Sequence, residues 1–71
     1  MNLLAQTDLN AVRITVESRD QYNDYSVVYD YYVTVNDPNT GYFRQWHCGT
    51  KRERALDAYR AAVAFVGKAA R

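Results

Sequence analysis

His47 and Cys48 are the two residues of this chain whose types could form a nucleophile and its general base. Neighbours on a strand point to opposite faces, so the imidazole cannot take the proton of the adjacent thiol. The pair therefore predicts a small core cysteine beside a surface histidine. One cysteine and one histidine also fall short of the four ligands of a structural zinc site, and Cys48 has no partner for an intramolecular disulfide. The sequence contains no Gly-rich phosphate loop, no His-x-x-x-His pair and no carboxylates at catalytic spacing. The expectation is a domain without catalytic residues, metal or cofactor.

The elements that hold such a surface must come from 71 residues, which leaves room for a single domain with a thin core. Association with a partner or a second copy is a natural source of further stability for a chain of this size. Apolar residues make up 48% and aromatics 14%, too much for a disordered tail. Seven of the aromatics are tyrosines, which suit half-exposed positions and interfaces. The net charge of +1 supplies no general attraction for phosphate or anionic lipid. Leu3 and Leu4 follow no basic start and open no long apolar run, so neither a leader peptide nor a membrane span is expected, and the cytosol fits best.

From Ala11 to Ser18, Val12, Ile14 and Val16 alternate with Arg13, Thr15 and Glu17, which predicts a strand with one wet face. Asp20 to Asp24 lack periodicity and should reverse the chain. A second strand is expected over Tyr25 to Val35, with Val27, Tyr29, Tyr31, Val33 and Val35 toward the core. The run Asn36 to Gly41 is the clearest turn, since Pro38 fixes one dihedral while Asn and Gly tolerate positive φ. A third strand runs from Tyr42 to Cys48 with Trp46 inward, leaving Arg44 on the inner side near the sheet edge with its guanidinium in water. Residues 1 to 10 read either as an arm or as a short extra strand, with a turn at Asp8 to Asn10.

Thr50 and Glu53 have capping-box spacing, which places a helix from about Lys51 to Ala70. Ala55, Leu56, Tyr59, Ala62, Val63, Val66 and Ala69 form its apolar stripe, and Asp57, Arg60, Ala64, Lys68 and Arg71 its far side. Phe65 flanks the stripe, where it is either a margin of the core or a contact residue, and the margin ranks first. The fold class is α+β, an antiparallel sheet of three strands packed on one C-terminal helix (βββα), or of four if the N-terminal residues pair.

Closing the second hairpin with Val35 opposite Tyr42 puts Asp30 opposite His47, Tyr32 beside Gln45 and Thr34 beside Phe43. A short first loop brings Arg13 next to Asp30. Arg13, Asp30, Tyr32, Phe43, Gln45 and His47 then form one charged and aromatic outward face, the expected partner-binding surface. Lys51, Arg52, Arg54 and Arg60 give a second, basic surface on the helix. The first three stand at the positive end of the helix dipole, where cations do not stabilise a helix.

Asp37, Pro38, Gly41, Trp46, Gly49, Thr50, Ala55, Ala58, Tyr59, Ala61 and Ala62 together resemble the second half of the plant ethylene-response-factor DNA-binding domain, and also the arm-binding domains of phage integrases. The resemblance covers about half the chain and implies a three-stranded sheet against a helix, with the outer sheet face entering the DNA major groove. It assigns Arg13, Gln45 and His47 to DNA contact. Glu17 and Asp30 share that face, and carboxylates repel phosphate.

By size, balanced charge and compact β-plus-helix plan, the chain is also similar in type to small phage-encoded inhibitors of bacterial defence, anti-CRISPR proteins among them. Such a resemblance implies an inhibitor in the bacterial host cytoplasm that occludes another protein or a ribonucleoprotein complex. Protein binding ranks first and nucleic-acid binding second, because the charge balance opposes the latter. A homodimer is the third association open to so small a chain.

Overall fold

The computed structural model describes residues 2–22 and 27–69. Four antiparallel strands, β1 (Asn2–Leu9), β2 (Val12–Tyr22), β3 (Val27–Asp37) and β4 (Tyr42–His47), lie in sequence order in one sheet. One helix among the described residues, α1 (Arg52–Ala69), follows β4. The α+β class is as the residue pattern predicts, and the N-terminal residues are a full strand.

The β1–β2 connection is a two-residue turn, since Leu9 faces Val12 and both Asn10 (φ 50°) and Ala11 (φ 70°) take left-handed backbone. Such turns match the twist of the flanking strands, which is why they close hairpins. In the β3–β4 turn, Gly41 N–H donates to Asp37 O at 2.9 Å, while the Asp37 carboxylate accepts from Asn39 N–H at 3.0 Å and from Thr40 Oγ1 at 2.9 Å. Gly41 has φ +75°, a backbone that favours glycine.

The sheet turns its odd β3 residues and even β2 residues toward α1. Ile14, Val16, Val33, Val35 and Ala55 are buried, and Leu4, Leu9, Val12, Tyr31, Leu56, Tyr59, Ala62, Val63 and Val66 pack around them. Thr7 Oγ1 hydrogen-bonds Tyr59 Oη, tying β1 to the helix. The expected helix stripe is thus the packed face, and Asp57, Arg60, Ala64 and Lys68 are exposed. Ala55 N–H bonds Lys51 O at 3.3 Å, so Lys51 caps the helix and Thr50 stands one residue outside it. The Thr50–Glu53 box is therefore not the device that starts α1.

Several expectations are corrected. Strand β2 continues through Asp20 to Tyr22 where a turn was expected; the Asn23 and Asp24 part of that turn, with Tyr25, Ser26, Ala70 and Arg71, lies outside the described residues. The helix lies over β2 and β3, touches β1 and does not reach β4. Trp46 on β4 therefore lies on the core side yet stays 38% exposed; Tyr29, on the core side of β3, is 45% exposed, and Phe65 is 74% exposed rather than a margin of the core. At about 3.3 Å per residue the 11-residue strands outrun the 18-residue helix at about 1.5 Å per residue, so the helix is shorter than the long strands it packs on.

Candidate functional site

Among the described residues no other element covers the face of the sheet turned away from α1, and cross-strand rows organise it. Glu17, Tyr32 and His47 form one row, Thr15, Thr34 and Gln45 the next, and Arg13, Asn36 and Phe43 the last. Arg19 stands opposite Asp30 beyond the first row.

Around Tyr32 the side chains interlock. Arg19 Nη2 donates to Glu17 Oε1 at 3.0 Å, and its guanidinium carbon sits 4.2 Å from the centre of the Tyr32 ring. Tyr32 and His47 rings lie 5.0 Å apart, tilted by 31°. His47 Nε2 is 3.1 Å from Asp30 Oδ1, and Gln45 Nε2 donates to Thr34 Oγ1 at 3.1 Å and to Glu17 Oε1 at 3.5 Å. Glu17 and Asp30 side chains are only 11% and 13% exposed, and each meets a basic group. Each bond restricts the rotamers of its neighbours, so the patch is largely ordered within the chain itself.

All six expected binding residues, Arg13, Asp30, Tyr32, Phe43, Gln45 and His47, point to this face, yet the expected register is two residues out. Asp37, not Val35, faces Tyr42, so Tyr32 pairs with His47 and Thr34 with Gln45. The physical reason is the tight turn, which leaves four residues between the strands where six were expected. Asp30 still meets His47, diagonally. Arg13 does not reach Asp30; it pairs with Asn36, and its Nε donates to Asp8 Oδ1 at 3.0 Å. That contact, with a second bond from Gln6, holds the Asp8 carboxyl below its usual value.

Arg19 is the site residue that sequence reasoning left out, and Glu17, placed on this face from sequence, was not counted among its binding residues. Arg19 lies just past the strand end expected at Ser18, and the polar run Arg19 to Gln21 carries no apolar alternation to mark it. Phe43 stands at the other end of the face, 63% exposed.

On the opposite side, the uncovered strip between α1 and β4 is an apolar groove of about 870 Å³, bordered by Trp46, Tyr42, Val35, Ala62 and Phe65. Arg44 lies at its edge with its guanidinium carbon 5.5 Å from the centre of the Trp46 ring, the edge position expected for it. Cys48 is half-buried on this side and packs against the core, while His47 is exposed on the other. Burial pushes the Cys48 thiol up, and a hydrogen bond with the Val33 backbone offsets part of that rise.

Lys51, Arg52, Arg54 and Arg60 are exposed, and Arg60 pairs with Asp57 at 3.2 Å. Among the described residues, no group of three or more His, Cys, Asp or Glu side chains is placed to hold a metal, and no helix is long and apolar enough to cross a membrane. No protein-family model, curated protein or solved structure matches the chain.

Proposed function

We propose that this chain is a protein-binding module without catalytic chemistry, which acts by laying its outer sheet face on another protein or ribonucleoprotein complex and covering a functional surface there. The observation that carries the reading is Phe43, 63% exposed on a face whose polar side chains are already tied to one another. Exposed aromatics beside ordered polar groups are what interface hot spots are made of, because little conformational freedom is lost on docking. The job is of the kind done by the small phage-encoded inhibitors to which the chain is similar in type. The experiment is affinity capture from a bacterial lysate with wild type, Phe43→Ala and Tyr32→Ala. Loss of the same captured protein from both variants supports the outer face, and capture unchanged in both removes it.

A second reading, DNA binding by the same face, gains from one observation. Glu17 and Asp30 are nearly buried and each meets a basic group, which blunts their repulsion of phosphate. Filter binding of random duplex DNA at low salt separates the two, since a DNA binder must show affinity that falls steeply with salt.

A further inference from the structure

The sheet has two edges, and they differ. β1 carries a bulge between Leu3 and Ala5, a device that spoils further strand pairing. β4 is regular over all six residues, contains no Pro or Lys, and is not covered by α1. Cys48 N–H turns toward β3, where it donates to Tyr31 O at 2.7 Å. By strand alternation Trp46, Arg44 and Tyr42 turn their backbone groups the same way. The N–H and C=O groups of Phe43, Gln45 and His47 therefore point off the open edge.

We propose that β4 is a self-association edge, pairing antiparallel with β4 of a second copy about a two-fold axis through Gln45 to make one continuous eight-stranded sheet. Side chains opposite one another must share a face, and a two-fold that pairs five of the six β4 residues is centred on Arg44 or on Gln45. Centring on Arg44 sets two guanidiniums directly opposite, which is destabilising. Centring on Gln45 instead sets each Arg44 opposite the partner's Trp46, a ring that Arg44 already approaches within its own chain. Phe43 then meets the partner's His47, Gln45 meets the partner's Gln45, and the outward groups close about six backbone hydrogen bonds. β4 carries one formal charge, and this register places it on an aromatic ring. The match of Arg44 to the partner's Trp46, made twice about the axis, thus favours a second copy over an arbitrary strand. The inference stands apart from the outer-face reading: it needs no foreign partner, and it sets two copies of the Tyr32 patch side by side on one face.

Sedimentation of the full chain from micromolar to millimolar tests it. The expected result is a mass that doubles with concentration, together with a blue shift of Trp46, the single tryptophan. A mass of one chain throughout overturns it. Gln45→Pro removes an N–H that β3 does not use, and edge strands tolerate Pro there. It should weaken dimerisation by about 100-fold, one factor of ten for each central hydrogen bond lost, with the circular dichroism unchanged. A dimer that survives in folded Gln45→Pro overturns the edge. Should that variant unfold, cross-linking decides: in a Cys48→Ser background, Gln45→Cys forms a disulfide dimer and Arg44→Cys does not. The reverse outcome, or no cross-link in either, overturns the register.

Discussion

His47 Nε2 lies 3.1 Å from Asp30 Oδ1 although the two are not cross-strand partners: His47 faces Tyr32, and the imidazole reaches diagonally to the carboxylate. Asp30 is nearly buried and His47 is 54% exposed, so solvent screens one end of the pair. A double-mutant cycle with Asp30→Ala and His47→Ala, read by chemical denaturation, should give a coupling below about 1 kcal/mol. A coupling of about 2 kcal/mol or more would show that the Tyr32 patch is a structural network first and a contact surface second.

Ala11 sits at φ 70°, a backbone that costs a residue with a Cβ roughly 1 kcal/mol. Glycine has no such cost and is the preferred second residue of this turn. Ala11→Gly should therefore raise stability by about 0.5–1 kcal/mol, offset slightly by the greater freedom of the unfolded chain. Denaturant midpoints at unchanged slope check the sign; a destabilised variant would mean that the turn differs in solution.

The helix was legible because seven positions repeat its period, and the Asp37–Gly41 turn because its residues each suit a tight reversal. Strand β1 was not settled from sequence, since its bulge breaks the alternation that marks a strand and brings Leu4 and Ala5 both against the core. The end of β2 was missed because Arg19, Asp20 and Gln21 are polar in succession, so no apolar alternation marks the strand there. Which side chains share the outer face depends only on parity, so the site's members were readable. Their register turned on loop length, which parity does not fix. The lateral placement of α1 leaves no periodic trace at all, which is why exposed Trp46 and Phe65 came only from the structure.

Ile14 is fully buried beneath α1 in a core of few large side chains. Ile14→Ala should cost about 2–5 kcal/mol and Ile14→Val about 0.5–1.5. A domain of this length holds only about 4–10 kcal/mol in total. Ile14→Ala should thus be largely unfolded in modest denaturant where Ile14→Val still melts cooperatively. Equal stability of the two variants would contradict a packed core at this position.

Asp8 titrates below the ordinary carboxylate range because the Arg13 side chain hydrogen-bonds its charged form, with Gln6 adding a second bond. The folded value lies beneath the unfolded one, so whatever stability the pair contributes is complete above the unfolded value and disappears as pH falls through the folded one. Carboxyl carbon shifts should show a depressed Asp8 midpoint that moves upward in Arg13→Gln. A midpoint indifferent to that substitution means the contact is not populated in solution.

Cys48 packs against the core, and burial outweighs its hydrogen bond with Val33, so the thiol holds its proton at neutral pH. Thiolate is the reactive species, and a raised thiol value depletes it. Labelling of the native chain by a disulfide reagent at pH 7 should therefore be slower than labelling of the chain in denaturant, with the native rate still climbing about tenfold per pH unit above pH 8. His47 is adjacent in sequence but stands on the other face, so His47→Ala should leave that rate unchanged. A rate that falls in His47→Ala would place the imidazole within reach of the sulfur and reopen the reading of these two residues as a reactive pair.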